Sequence, residues 1–186
     1  MRWIPFLILA YVVMLMETSM SRLLFINVPG LGSIGPDLAA MVVVFVALYT
    51  RAATDAMIAG WVLGLAVDLT SGGGIGAMTV VGPMSIAYCL LAWQLWRVRE
   101  AFFRERAVTQ IVLTLFFALA AHFIWVTVQA LAAPGKVTFG DYGLALIQAA
   151  GIACYTALLM PLAHFALIRV QRVILTNPAG PSRGRR

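Results

Sequence analysis

Glycine and aspartate recur at a spacing of four residues in one apolar stretch of the sequence. Gly60, Gly64 and Asp68 lie at positions i, i+4 and i+8, which places them on one stripe of an α-helix. In a membrane, a Gly-x-x-x-Gly pair lets a second helix approach to backbone contact. The spacing therefore predicts a close helix contact, made either by another helix of this chain or by a helix of a partner protein.

The carboxylate of Asp68 needs a compensating partner. The apolar stretch ends just after this residue, and the negative end of a helix macrodipole disfavours an acid there. One candidate partner is Arg22, which we expect at the same outer level of the membrane. The other is the set of backbone N–H groups around Gly72–Gly76, which glycine leaves accessible. The predicted packing site is completed by three residues that follow the helix: Ser71, Gly72 and Gly76.

The other polar residues of the apolar stretches form no recognisable catalytic or metal site. His122 and His164 have no second ligand at i+3 or i+4. Cys89 and Cys154 have no Cys-x-x-Cys partner, so we expect both to be small core residues. Glu17 lies inside the first apolar stretch, where an ionisable group is a functional candidate, but its polar neighbours favour an interfacial or hydrogen-bonded structural role. We predict no catalytic residue, metal or cofactor.

The composition is that of an integral membrane protein. The 186 residues are 62% hydrophobic and 11% charged, and the mean hydropathy is +0.96. Polar side chains are too few to cover a soluble globule. The net charge of +6 lies in short clusters between or after the apolar stretches, which is typical of a topology determinant and not of a nucleic-acid interface.

The apolar stretches predict five or six helices, and the charge distribution favours six. One helix over residues 38–67 would place Arg51 and Asp55 near the bilayer centre, at roughly 2.5–3.5 kcal/mol each. A turn at residues 51–55 instead leaves only Arg22 and Lys136 on the outer side. The positive-inside rule then predicts an all-α, six-helix transmembrane bundle with both termini in the cytoplasm. The predicted helices of this domain, residues 1–175, cover 3–25, 37–50, 55–69, 75–97, 107–133 and 141–175, and a basic disordered tail covers 176–186.

A cluster of arginines follows the fourth predicted helix. It mixes basic and acidic residues with Phe102 and Phe103, which is typical of a helix at the inner membrane interface. The arginines are expected on the cytoplasmic surface, where they meet anionic lipid or serve as a docking surface for a filament or partner. They are Arg97, Arg99, Arg104 and Arg106.

The segment GWVLGLAVDLTSGGGIG, residues Gly60–Gly76, resembles the central signature of the rod shape-determining membrane protein family MreD. Pro36-Asp37-Leu38 is similar to the family's Pro-Asn/Asp-Leu, and Ser85–Tyr88 resembles its tyrosine-containing segment. Two features depart from the pattern. Gly82-Pro83 interrupts the fourth predicted helix, and Met78 stands near a position where a basic or polar residue is expected.

The resemblance implies a non-enzymatic scaffold of the bacterial inner membrane. It would hold MreC and link the MreB filament to a RodA-type glycosyltransferase and a penicillin-binding transpeptidase. The alternative is a substrate-binding membrane subunit of an energy-coupling-factor vitamin transporter, a group that is similar in fold to MreD. Such subunits carry a small-x-x-x-small face on their first helix, whereas here Phe6 and Met14 flank Ala10. A binding pocket would also need polar groups at the outer ends of helices four to six, and we expect few there.

Overall fold

The chain folds into six helices and one β-hairpin within the part that the computed structural model describes. The described residues are 2–19, 24–30, 32–70, 80–99, 107–133 and 137–174, with side chains up to residue 170. The helices are α1 (Trp3–Ser19), α2 (Leu38–Tyr49), α3 (Ala53–Thr70), α4 (Pro83–Val98), α5 (Ala107–Ala132) and α6 (Phe139–Ile174). Strands β1 (Ile26–Val28) and β2 (Gly32–Ile34) pair antiparallel. The predicted all-helical bundle is confirmed, and the hairpin forms where an outer loop was expected.

Three of these helices are long and apolar enough to cross a membrane. They are Ala53–Thr70, Ala107–Ala132 and Phe139–Val170. The first of them extends the predicted helix 55–69 by two residues at its start and one at its end, through small and polar residues that a helix accepts. Helices α1, α2 and α4 are shorter, so the prediction of six spans stays a prediction.

One helix boundary of the sequence prediction is wrong. Helix α4 begins at Pro83 and not at residue 75, because Gly82 has a φ of +120° and Pro83 occupies the first helical turn. Helix α1 is described as far as Ser19, residues 20–23 lie outside the described residues, and the strand Ile26–Val28 begins just after the predicted end at residue 25. The predicted tail, 176–186, lies outside the described residues.

Helix α2 forms the centre of the bundle. Every residue from Ala39 to Leu48 is buried, since α1, α3, α4, α5 and α6 all pack against this short helix. The turn that separates α2 from α3 is confirmed, and it lies at Thr50–Ala52. Trp61 and Leu69 of α3 are exposed, so only one face of this helix packs inward.

Successive helices run in opposite directions, so the bundle has two ends. The described acidic and basic residues divide between these two ends. The hairpin end holds the hairpin, the start of α2 and the end of α3, whereas the turn end holds Thr50–Ala52. Of the five described acids, only Asp55 lies at the turn end, and the others lie at the hairpin end: Glu17, Asp37, Asp68 and Asp141. All basic residues of the described chain lie at the turn end: Arg2, Arg51, Arg97, Arg99, Arg169 and Arg172.

Candidate functional site

Gly60 and Gly64 form the contact between α3 and α4. A Cβ atom added at Gly60 would lie 2.6 Å from the carbonyl oxygen of Tyr88. One added at Gly64 would lie 2.6 Å from the carbonyl oxygen of Met84 and 2.7 Å from the Cα of Ser85. Real Cβ atoms do not approach backbone this closely, so any larger residue would push the helices apart. The close helix contact that the spacing predicts is thus made by the chain's own α4, and no helix of a partner protein occupies this stripe.

Asp68 caps the start of α4 from the end of α3. Its side chain is buried, and its Oδ2 accepts backbone N–H bonds from Gly82 at 3.0 Å and from Met84 and Ser85 at 3.1 Å each. The Ser85 hydroxyl donates to the same oxygen at 3.4 Å. The first N–H groups of a helix have no partner within it, and they lie at the positive end of its macrodipole. The carboxylate therefore supplies the cap that Gly82 has no side chain to provide.

Backbone N–H groups stabilise the Asp68 carboxylate, and the described donors belong to residues 82, 84 and 85. The other members of the predicted set lie outside the described residues: Arg22, Ser71, Gly72 and Gly76. Together, Gly60, Gly64 and Asp68 form what we call the α3–α4 junction, in which the glycines bring α4 close enough for the acid to cap it.

A second feature, which we call the hairpin-end cavity, was missed from the sequence. It has a volume of about 380 Å³ and lies between α1, the hairpin, α2, α5 and α6. Its lining includes three titratable side chains, one amide and two aromatic rings: Glu17, Asp37, His122, Gln148, Phe25 and Trp125. The carboxylates come from α1 and the start of α2, whereas α5 and α6, where few polar groups were expected, supply His122 and Gln148.

Asp37 contacts polar groups from several helices around the cavity. Its Oδ1 accepts from the N–H of Ala40 at 2.7 Å and so caps α2, and its own N–H donates to the Thr156 hydroxyl at 2.9 Å. Its Oδ2 accepts from the hydroxyl of Tyr88 and lies 3.8 Å from Nε2 of His122. Tyr88, His122 and Thr156 come from α4, α5 and α6, so the carboxylate and the backbone N–H of one buried residue tie three helices to the start of α2.

Glu17 brings a second carboxylate to the same cavity. It interacts with the backbone N–H of Ala39, in the first turn of α2, and with the charge of Asp37. Its Oε2 atom is buried and has no hydrogen-bond partner among the described residues. The described lining contains no Lys or Arg. Glu17 was expected to be structural, although its position at one predicted level with Asp37 and Asp68 could have indicated an acidic site.

The arginine cluster divides between surface and interior. Arg97 is exposed and stacks 4.6 Å from the centre of the Trp93 ring. The prediction that Arg99 lies on the cytoplasmic surface is wrong, because this side chain is buried, donates to the Thr50 carbonyl and lies 4.8 Å from the Trp96 ring. A guanidinium stabilises the negative C-terminal end of α2. Arg104 and Arg106 lie outside the described residues.

The two histidines and the two cysteines form no metal site in the part of the chain that the structure describes, where no three of His, Cys, Asp and Glu come together. His164 pairs its Nε2 with the Tyr49 hydroxyl at 3.2 Å within the core. Cys89 is half-buried, but Cys154 is exposed, so the expectation that both are core residues is wrong for Cys154. An exposed thiol on an apolar helix behaves as one more apolar group toward lipid.

No protein-family model, curated protein or solved structure matches the chain. The α3–α4 junction and the hairpin-end cavity are therefore the two features of the molecule from which a function can be argued.

Proposed function

We propose that the chain is a membrane scaffold of the bacterial cell-wall elongation machinery, with the role that its resemblance to MreD implies. In this proposal it spans the inner membrane with both termini in the cytoplasm and holds MreC. Through MreC it couples the MreB filament to a RodA-type glycosyltransferase and a penicillin-binding transpeptidase. The lipid bilayer is its surroundings, and no nucleic acid is involved.

One observation supports this proposal: the residues that carry the resemblance to MreD together form the α3–α4 junction. Gly60 and Gly64 admit α4 to backbone contact, and Asp68 caps that helix. Oδ2 of Asp68 accepts the backbone donors at the start of α4, so this carboxylate fixes two helices as one unit. A signature that builds a rigid helix pair is typical of a protein that presents a surface to partners.

The surface offered to a partner is then the outside of this helix pair. Trp61 of α3 is half exposed, and Ile86 and Leu90 of α4 are 60% and 53% exposed. In a membrane, such side chains meet either lipid or another transmembrane helix. We place the helix of MreC on this outer surface, because the glycine stripe is already filled by α4.

Depletion of the protein in its own bacterium tests the scaffold. Cells should lose their constant width and become round within a few generations, since lateral wall synthesis would no longer be confined to the cylinder. Re-expression of the wild-type protein should restore the rods. Depleted cells that keep normal width and normal lateral wall labelling would contradict the proposal.

The hairpin-end cavity favours a second candidate, the substrate-binding membrane subunit of an energy-coupling-factor transporter. A polar-lined cavity of this volume lies in the range of small-molecule sites. The first helix argues against this candidate because it lacks the small-x-x-x-small face. Phe6 is fully buried in the bundle, and the bulky Met14 lies two turns later. Depleted cells would in this case stay rod-shaped and need more of one external micronutrient for growth.

A further inference from the structure

We propose that the hairpin-end cavity binds an organic ammonium ion that carries an apolar body. This inference goes beyond the scaffold and does not depend on it, because it concerns only groups that line the cavity. Three observations lead to it: the charge of the lining, an unpartnered carboxylate oxygen, and the aromatic rings beside it.

The described lining of the cavity contains acidic side chains but no Lys or Arg to balance their charge. Glu17 and Asp37 contribute two carboxyl groups that interact with each other, and His122 is the one other titratable side chain named in the described lining. Two carboxylates in a site of low dielectric constant repel each other unless a cation or a proton lies between them. A ligand with a positive charge removes this repulsion, whereas an anion would add to it.

The position of the charge in the ligand follows from the hydrogen bonds. Asp37 is held at both oxygens, by Ala40 on one side and Tyr88 on the other. Glu17 keeps one oxygen, Oε2, that is buried without a partner among the described residues. A buried acceptor of this kind is stabilised when a donor reaches it, and most strongly when the donor is charged. We therefore assign the ammonium group to Glu17, and the negative charge of Asp37 adds to the attraction.

The rest of the lining selects an organic cation over a metal ion. Trp125 and Phe25 present aromatic rings, which attract ammonium groups through their faces. Ala145 and Ile152 of α6 add an apolar wall. No three of His, Cys, Asp and Glu in the described residues come together to ligate a metal. The volume of about 380 Å³ leaves room for a ring or short chain beside the charged group.

Binding to the purified protein in lipid nanodiscs tests this assignment. The probes are benzylammonium and benzyltrimethylammonium, compared with benzyl alcohol and benzoate, which share the ring but not the charge. Isothermal titration should give an affinity at least about tenfold higher for one of the two cations than for either control. Equal binding of all four compounds, or no binding of the cations, would overturn the proposal.

Two variants locate the site. Glu17→Gln keeps the size of the side chain and should weaken cation binding about tenfold or more, because the charge that holds the ammonium group is lost. The matched control is Asp141→Asn, which removes one charge from the same end of the bundle, one turn before Ala145 but outside the cavity. Asp141→Asn should bind as the wild type does. Equal losses in both variants would mean general attraction to an acidic surface, and unchanged binding in Glu17→Gln would also refute the assignment.

Discussion

The α3–α4 junction makes a quantitative prediction for a single methyl group. In Gly64→Ala the new Cβ would lie 2.6 Å from the Met84 carbonyl oxygen and 2.7 Å from the Cα of Ser85. Both neighbours are backbone atoms and cannot turn away as a side chain does. Overpacking of this kind costs about 1–3 kcal/mol, while the helix propensity gained over glycine returns about 0.5–1 kcal/mol. Because both contacts are to rigid backbone, the overpacking cost lies in the upper half of its range, about 2–3 kcal/mol, and after a return of about 1 kcal/mol the net loss of stability should be about 1–2 kcal/mol.

The matched control is Gly143→Ala in α6. Gly143 is also helical, and a Cβ added there would meet no atom within 4 Å. This variant should be as stable as the wild type or up to about 1 kcal/mol more stable, since it gains helix propensity without a clash. The pair therefore separates crowding at the junction from the general effect of replacing glycine.

Thermal unfolding in a mild detergent, followed by circular dichroism, measures the difference. For a chain of this length 1 kcal/mol corresponds to about 2–4 °C in Tm, so Gly64→Ala should melt about 2–8 °C below the wild type. Gly143→Ala should melt at or above the wild-type temperature. If Gly64→Ala melts together with Gly143→Ala, helices α3 and α4 are not in backbone contact at this glycine.

Three further predictions concern the cap, the buried arginine and the topology. Asp68→Asn should lower stability by about 1–3 kcal/mol in the same melting assay, because the backbone donors at the start of α4 lose a charged acceptor; an unchanged Tm would remove the cap from the account. Arg99→Ala should lose about 1–3 kcal/mol and Arg97→Ala less than about 0.5 kcal/mol, since only the first is buried against the end of α2; equal effects would contradict that burial. In a cysteine-free background, Lys136→Cys should react with an impermeant thiol reagent in intact cells and Arg51→Cys should not; labelling of Arg51→Cys would overturn the orientation.

The sequence predicted those features of the fold that local spacing determines. Gly60, Gly64 and Asp68 follow one another at intervals of four residues. This spacing predicts a close helix contact because helical periodicity places the three residues on one face. The same periodicity does not say which helix lies opposite, so the choice between α4 and a partner protein needed the structure. The Gly82-Pro83 pair was noticed as an interruption, yet its meaning as the first turn of α4 depends on the carboxylate of Asp68, 14 residues earlier.

The contacts that build the cavity could not be predicted because its polar groups are far apart in the chain. Asp37 meets Tyr88 and Thr156 across 51 and 119 residues, and neither pair leaves a pattern in the local sequence. The wrong prediction of a surface position for Arg99 has a related cause. A charge distribution indicates the side of the membrane on which a residue lies, but not whether its side chain points to water or to the end of a neighbouring helix.

The proposed role as a scaffold is tested most directly by what the protein holds in the membrane. The tagged chain is purified from its own bacterium in a mild detergent after in-cell crosslinking, and the retained proteins are identified by mass spectrometry. The account predicts MreC among them, with the amount reduced when bulky charge is placed on the outer surface of the helix pair, as in Leu90→Arg, and unchanged in Gly143→Ala. Recovery of an ATPase-driven transporter module without MreC would contradict the scaffold and establish the second candidate.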